Sequence, residues 1–280
     1  MEPLVECRPH RWRARRCGQG KPTLVLHGAG SSGQSFARVA DFLADDHAML
    51  IPDLPGHGQT RLGTKQRSGL AHMAEDVWSL AMQEIGRPEL IVAHSAGAAI
   101  ALHLAHAEHG PPVVAINPAL RSFDGVAGWL FPLLAKTLGA NPFAPQILAR
   151  MTGRPARIKE LLQSQGSQID DEMVAHYRGL ASDARHVAGT LAMMGQWSVE
   201  PLRRALPRIK TPVLFITGDN DRTVAPEVSV EAAGMMPNAT LERLPGLGHL
   251  AHEEAPDRVT DVIRGWEDQI SSDLAEASGL

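Results

Sequence analysis

Ser95 lies in the segment Ala93-His94-Ser95-Ala96-Gly97, with a short apolar run, Leu90 to Ala93, before it and a helical pattern, Gly97 to Glu108, after it. A serine on a tight strand-to-helix turn projects its hydroxyl out of the sheet, and its neighbours must be small because other backbone passes close by. Without that context Ser95 is only a helix cap. A lone serine hydroxyl is a poor nucleophile at neutral pH, so a base must stand beside it and a third group must orient the base. His249, in Gly246-Leu247-Gly248-His249 after the last predicted strand, is the candidate base. The candidate acids are Asp219 and Asp221 in Gly218-Asp219-Asn220-Asp221, and Asp124 beyond the apolar run through Ile116. Together these residue types point to nucleophilic acyl transfer.

The tetrahedral intermediate of that chemistry carries a negative oxygen that needs preorganised N–H donors. His27-Gly28-Ala29-Gly30 follows the apolar run Thr23 to Leu26 and offers the Ala29 N–H. Ala96, following the serine at a helix N-terminus, offers the second. Asp53-Leu54-Pro55-Gly56-His57-Gly58 reads as an architectural loop, its Pro and Gly residues fixing a sharp path, with His57 a loop histidine.

The elements that must hold these residues follow from the apolar pattern. Strands are expected at Thr23 to Leu26, Ala48 to Ile51, Leu90 to Ala93, Val113 to Ile116, Val213 to Thr217 and Ala239 to Leu244. Helices are expected at Met73 to Ile85, Gly97 to Glu108, Pro226 to Met236 and Pro256 to Gln269. This alternation predicts an α/β fold with a mostly parallel sheet covered on both faces. Between Ile116 and Val213 no convincing strand occurs, and so long an interval is read as a helical lid inserted in the core. Residues 1–120 and 207–270 then form one core, 121–206 the lid and 271–280 a mobile tail. Arg11, Arg13 and Arg15 alternate with Trp12 and Ala14 as a charged edge strand would.

A formal charge of -4, 44% apolar and 21% charged residues describe an ordinary globular chain with no nucleic-acid signature. The two cysteines, Cys7 and Cys17, give no disulfide framework and favour a reducing compartment, the cytoplasm. Cys17 to Lys21 follow Arg15 and Arg16 where a twin-arginine signal needs an apolar stretch. The uncharged run from Leu90 to Ala107 parses as strand, turn and helix rather than a membrane span. His103, His106 and His109 share helix spacing but lack a partner ligand, so no metal is assigned. No Walker segment occurs, and no cofactor is called for.

With Asp53-Leu54-Pro55-Gly56-His57-Gly58, the whole span from Pro22 to about Arg264 resembles α/β-hydrolases. That resemblance implies the order Ser, acid, His along the chain, hence Ser95, Asp221 and His249, with Asp219 a turn residue and Asp124 the fallback acid. Ala93 replaces the family's usual first Gly, the mildest departure. The arm before Lys21 is shorter than the family's leading strands, implying a lost edge strand.

Within the family the chain resembles the magnesium-chelatase accessory proteins of bacteriochlorophyll biosynthesis, BchO. The match is carried by His94 to Ile100, Asn117-Pro118-Ala119-Leu120, Phe131 to Lys136, Asn141-Pro142-Phe143, Met193-Met194 and Leu244 to Glu254. What this narrower resemblance implies is a role around magnesium insertion into protoporphyrin IX. The partners it implies are a tetrapyrrole, either protoporphyrin IX or a magnesium protoporphyrin derivative, and chelatase subunits.

Trp129, Phe131, Phe143, Met193, Met194 and Trp197 are the candidate pocket for such a flat apolar ligand. The bland alternative is a lid packing on its own domain. The uncharged runs Gly125 to Ala135 and Thr137 to Ala149 are too short to span a bilayer, which leaves contact with the surface of a photosynthetic membrane. Two functions follow: a serine hydrolase or acyl transferase, and a non-catalytic porphyrin-binding or chaperone module assisting the chelatase.

Overall fold

The computed structural model describes residues 3–106, 110–121, 143–152 and 154–278. Three short strands occupy the N-terminal arm: β1 (Val5–Cys7), β2 (His10–Trp12) and β3 (Ala14–Cys17). They are followed by β4 (Lys21–Leu26), β5 (His47–Pro52), β6 (Leu90–His94), β7 (Val113–Ile116), β8 (Val213–Gly218) and β9 (Ala239–Leu244). Seven of them form one sheet in the order β3-β5-β4-β6-β7-β8-β9, with β3 antiparallel and the rest parallel. β6, β7 and β8 are buried along their whole length, which is why they read as unbroken apolar runs instead of alternating ones.

The arm corrects two expectations. It holds three strands, of which β1 and β2 pair with each other and only β3 joins the large sheet. The arginine alternation is therefore split between two sheets: Arg11 is exposed between buried His10 and Trp12, whereas Arg15 lies on the edge strand β3. The cause is the buried indole of Trp12, whose N–H donates to Cys7 O at 2.9 Å and folds the arm back on itself.

One face of the sheet is covered by α2 (Leu70–Glu84) and α3 (Ala96–Ala105), the other by α1 (Ala37–Leu43) and α11 (Pro256–Ser278). α11 continues through Ser278, so the stretch expected as a tail is helical to that point. Between β7 and β8 the described chain is helical: α4 (Ala144–Thr152), α5 (Pro155–Ser164), α6 (Asp171–Ser182), α7 (Ala184–Met194) and α8 (Glu200–Ala205). After β8 come α9 (Glu227–Met235) and, beyond β9, the short α10 (Ala251–Glu254). No helix among the described residues is long and apolar enough to cross a membrane.

Strand order reverses at β4, whose neighbours are β5 on one side and β6 on the other. In an open parallel sheet, ligands bind beyond the carboxyl ends of the strands at such a switch point. The loops leaving β4 and β6 carry His27 to Gly30 and Ser95, so the chemistry-bearing segments meet there.

Candidate active site

Ser95 lies between β6 and α3 with φ 52° and ψ -116°, a backbone conformation that side chains rarely adopt. The strain is held by neighbours on every side. Ser95 N–H donates to Ile116 O at 3.0 Å, and Ser95 O accepts from the Ala98 and Ala119 N–H groups, each at 3.1 Å. A Cβ at Gly97 would stand 2.5 Å from His27 O and 2.6 Å from Leu26 O, so a side chain there is incompatible with the packing of α3 against β4. A Cβ at Gly28 would stand 3.0 Å from Ser95 Cβ. Ala93 sits within β6, fully buried in register with Leu26 and Ala115, and the turn forms despite its extra methyl.

His249 Nε2 lies 3.1 Å from Ser95 Oγ, and His249 Nδ1 lies 2.8 Å from Asp221 Oδ2. All three residues are buried. Asp221 Oδ1 accepts the N–H groups of Thr223 at 2.7 Å and Val224 at 2.9 Å, and Oδ2 accepts Asn117 Nδ2–H at 2.8 Å. A carboxylate ringed by donors acts as acceptor only, so the histidine proton belongs on Nδ1 and the Nε2 lone pair faces Ser95 Oγ. Asp219 points elsewhere, accepting from Arg243 Nε at 2.7 Å. Asp124 lies outside the described residues.

Asn117 is the residue that sequence reasoning missed in this cluster. It follows β7 with φ 44° and is 1% exposed. Its Nδ2 donates to Asp221 Oδ2, to Gly248 O at 2.9 Å and, more weakly, to His249 O at 3.2 Å, while its Oδ1 accepts Gly218 N–H at 3.0 Å. One amide thus joins the loop bearing Asp221 to the loop bearing His249. An Asn directly before Pro118 at a strand end was the available signal, since Asn is among the few side chains that tolerate positive φ.

The connection between α5 and α6 also reaches these loops. Gln165 O accepts both Arg222 N–H at 3.1 Å and His249 N–H at 3.3 Å, and Ser167 Oγ accepts Leu250 N–H at 2.9 Å. Glu254 bridges the same pair of segments, taking Gly248 N–H at 2.9 Å and Gln168 N–H at 2.8 Å. The inserted helices are therefore laced onto the histidine loop by one main-chain hydrogen bond and by the side chains of Ser167 and Glu254.

The loop after β4 is fixed by buried histidines. His27 accepts Leu54 N–H on Nε2 and donates Nδ1–H to Gly28 O, both at 2.8 Å. His186 of α7 accepts Gly58 N–H at 2.9 Å and donates to Gly30 O at 3.2 Å. Burial drives the pKa of His27 down to about 3 and that of His186 to about 4, so both are neutral struts. His57 is buried against them, donating to Pro55 O at 3.2 Å, with its pKa also pushed well down by burial. Ala96 begins α3 and is buried, while Ala29 is exposed beside Gly28.

His94 donates Nε2–H to His249 O at 2.8 Å. Its ring packs 4.4 Å from that of His252, whose two ring nitrogens have no hydrogen-bond partner among the described residues and whose pKa burial lowers to about 3.

Of the residues expected to line a lid pocket, Phe143, Met193, Met194 and Trp197 are among the described residues. Trp129 and Phe131 lie outside the described residues. Phe143 is 70% exposed at the start of α4. Met193 is buried in the core cluster beneath α2 and α3, with Trp197 packed against that cluster and Met194 half-buried. For Met193 and Trp197 the bland alternative, packing on the chain's own domain, describes the contacts. The reason is that α7 faces the core with its 3.6-residue apolar stripe, which periodicity cannot distinguish from a ligand surface. Among the described residues no group of three or more His, Cys, Asp or Glu is placed to hold a metal ion.

The alpha/beta hydrolase family model matches residues 23–262. The magnesium-chelatase 30 kDa subunit of Rhodobacter capsulatus is 45% identical over 247 residues, covering 88% of this chain and 87% of that protein. The pimeloyl-[acyl-carrier protein] methyl ester esterase of Xanthomonas oryzae is 26% identical over 262 residues, covering 88% of this chain and 95% of its own length. Among solved structures, a thermophilic esterase from Thermogutta terrifontis superposes with a TM-score of 0.75 at 20% identity, covering 96% and 98% of the two chains, a likeness of fold. With a family match over most of its length, and a sheet that delivers Ser95 at a strained turn after β6, the chain belongs to the alpha/beta hydrolase family.

Proposed function

We propose that this protein is a serine-type hydrolase or acyl transferase acting on a carboxylic ester, with a tetrapyrrole as its substrate class. The observation that carries the reading is the hydrogen-bonded line from Ser95 Oγ through His249 to Asp221. As Ser95 Oγ attacks the ester carbonyl carbon, its proton passes to His249 Nε2, and the carbonyl π pair moves onto oxygen. Asp221 holds the ring and offsets the imidazolium charge. The Ala29 and Ala96 N–H groups are the donors assigned to the oxyanion. Collapse of the intermediate expels the alkoxide, which takes the proton from His249. Water, or an acceptor alcohol, then attacks the acyl-serine with His249 again as base, releasing the acid or the new ester and restoring Ser95.

The tetrapyrrole reading is supported by the relative named as a magnesium-chelatase 30 kDa subunit, together with the resemblance to accessory proteins of magnesium insertion into protoporphyrin IX. The same name favours a second reading, in which the fold binds a porphyrin beside chelatase subunits and the serine is idle. A fluorophosphonate probe separates the two. Labelling that disappears in Ser95→Ala and is competed by magnesium protoporphyrin monomethyl ester supports catalysis on a tetrapyrrole. Absence of labelling in a folded protein that still binds protoporphyrin IX overturns it in favour of the binding module. The cytoplasmic compartment expected from the cysteines belongs with either reading.

A further inference from the structure

We infer that the outer face of α4 and α5 is a docking surface for an anionic lipid bilayer. Large apolar side chains left exposed are sparse over the described molecule, yet Ile147, Met151 and Leu161 are 54, 63 and 55% exposed within fifteen residues of chain. Ile147 and Met151 are one helical turn apart on α4, so they stand on one face. Phe143, one turn further back, is 70% exposed. Arg150, Arg154 and Arg157 are exposed beside them, and with Met151, Ile158, Glu160, Leu161 and Ser164 they line an open cleft of about 820 Å³.

Charge selects the occupant. Residues 143–164 carry Arg150, Arg154, Arg157 and Lys159 against the single carboxylate of Glu160, in a chain whose formal charge is -4. Glu160 stands 3.6 Å from Arg157, both side chains more than 70% exposed, and offsets little of that positive charge. Exposed apolar side chains between arginines fit the boundary of a bilayer: the former enter the acyl region while the guanidinium forks take lipid phosphates. Ile158, which lines the cleft, is buried in a cluster that also holds Tyr177 and Leu250, the residue after His249, so a bilayer on this face would lie over elements packed against the histidine loop.

The test is flotation of the intact protein with phosphatidylcholine vesicles, with and without phosphatidylglycerol. Binding is expected only with phosphatidylglycerol, is reversed by salt, and weakens by at least about fivefold for each arginine reversed in the series Arg150→Glu, Arg154→Glu and Arg157→Glu. A second variant, Ile147→Ser with Met151→Ser, loses retention at high lipid without changing charge. These positions are exposed, so thermal unfolding and Ser95 labelling in the absence of vesicles stay at wild-type values, and binding is read independently of any reaction at Ser95. No flotation with phosphatidylglycerol, or flotation that both variant sets leave unchanged, overturns the inference. A concentration-dependent dimer by light scattering that Ile147→Ser with Met151→Ser abolishes would also overturn it, assigning the face to a second copy of the chain.

Discussion

At the scale of single residues, the arrangement of Ser95, His249 and Asp221 depends on side chains outside it. Asn117 feeds hydrogen bonds to Asp221, Gly218 and the histidine loop from one buried amide. Asn117→Ala leaves those groups short of partners and frees the two loops to drift. A drift of about 1 Å costs on the order of a hundredfold in rate, and that loss is expected in fluorophosphonate labelling at pH 7, with Ser95 still required. His252 makes the opposite case. Its ring lies between those of Phe36, at 4.5 Å, and His94, at 4.4 Å, and among the described residues neither nitrogen is hydrogen-bonded, Nε2 standing 3.9 Å from Glu253 Oε1. His252→Phe removes unpaired polar atoms at nearly the same shape and is expected to stabilise the fold by about 1 kcal/mol, read as a higher unfolding midpoint. A lower midpoint would mean that those nitrogens have partners.

At the scale of elements, the helical insertion is more than a cover. The connection between α5 and α6 accepts main-chain hydrogen bonds from both the acid loop and the histidine loop at Gln165 O, and the next residue, Gly166, packs against the acid loop. Gly166 has φ 84°, and a Cβ there would fall 1.8 Å from Asn220 O. Gly166→Ala therefore cannot be absorbed by a rotamer change and must move the acid loop. The expected outcome is labelling reduced by at least about tenfold, from displaced catalytic geometry, with destabilisation of about 2 kcal/mol from lost main-chain bonds and strain. Glu254→Gln is a milder check of the same brace. An amide places a donor against one of two N–H groups that the carboxylate accepts, so labelling falls, and circular dichroism tests that the fold is kept.

At the scale of the whole molecule, buried titratable groups give stability a pH dependence of two signs. His27 and His252 have folded pKa values near 3 and His186 near 4, below the ordinary 6.5. The unfolded chain binds more protons than the folded one between those values, so their contribution is full above about pH 6.5 and is lost as pH falls toward 4. Glu253 works the other way. Burial raises its pKa to about 8 from 4.5, while Tyr177 O–H donates to it at 2.6 Å. Its contribution is full below about pH 4.5 and is lost as pH rises through 8. From about pH 7.5 to 8 the three histidines are almost wholly neutral in both states, and Glu253 dominates. The unfolding midpoint is expected to decline across that window in the wild type and to be flat in Glu253→Gln. A decline that persists in the variant would assign it to another group.

Much of this protein is legible from its sequence because burial leaves a local signature. β7 coincides with its expected span, and β6 and β8 extend theirs by one residue, since strands covered on both faces must be apolar throughout; the edge strand β9, with its exposed Glu242 and Arg243, also keeps its expected span. The turn around Ser95 was legible because only Ala and Gly fit where backbone passes within a side chain's reach. What the sequence could not determine was which distant polar groups meet. Asp221 and Asp219 are equivalent as residue types; the family resemblance chose Asp221, and the packing of the histidine loop against Asn117 and Gln165 is what brings it to His249. The fate of apolar residues in the insertion was undetermined for the same reason: one 3.6-residue stripe serves a core, a ligand or a surface equally. Met193 went to the core and Ile147 to the outside because tertiary packing, not periodicity, decides which face of a helix is covered.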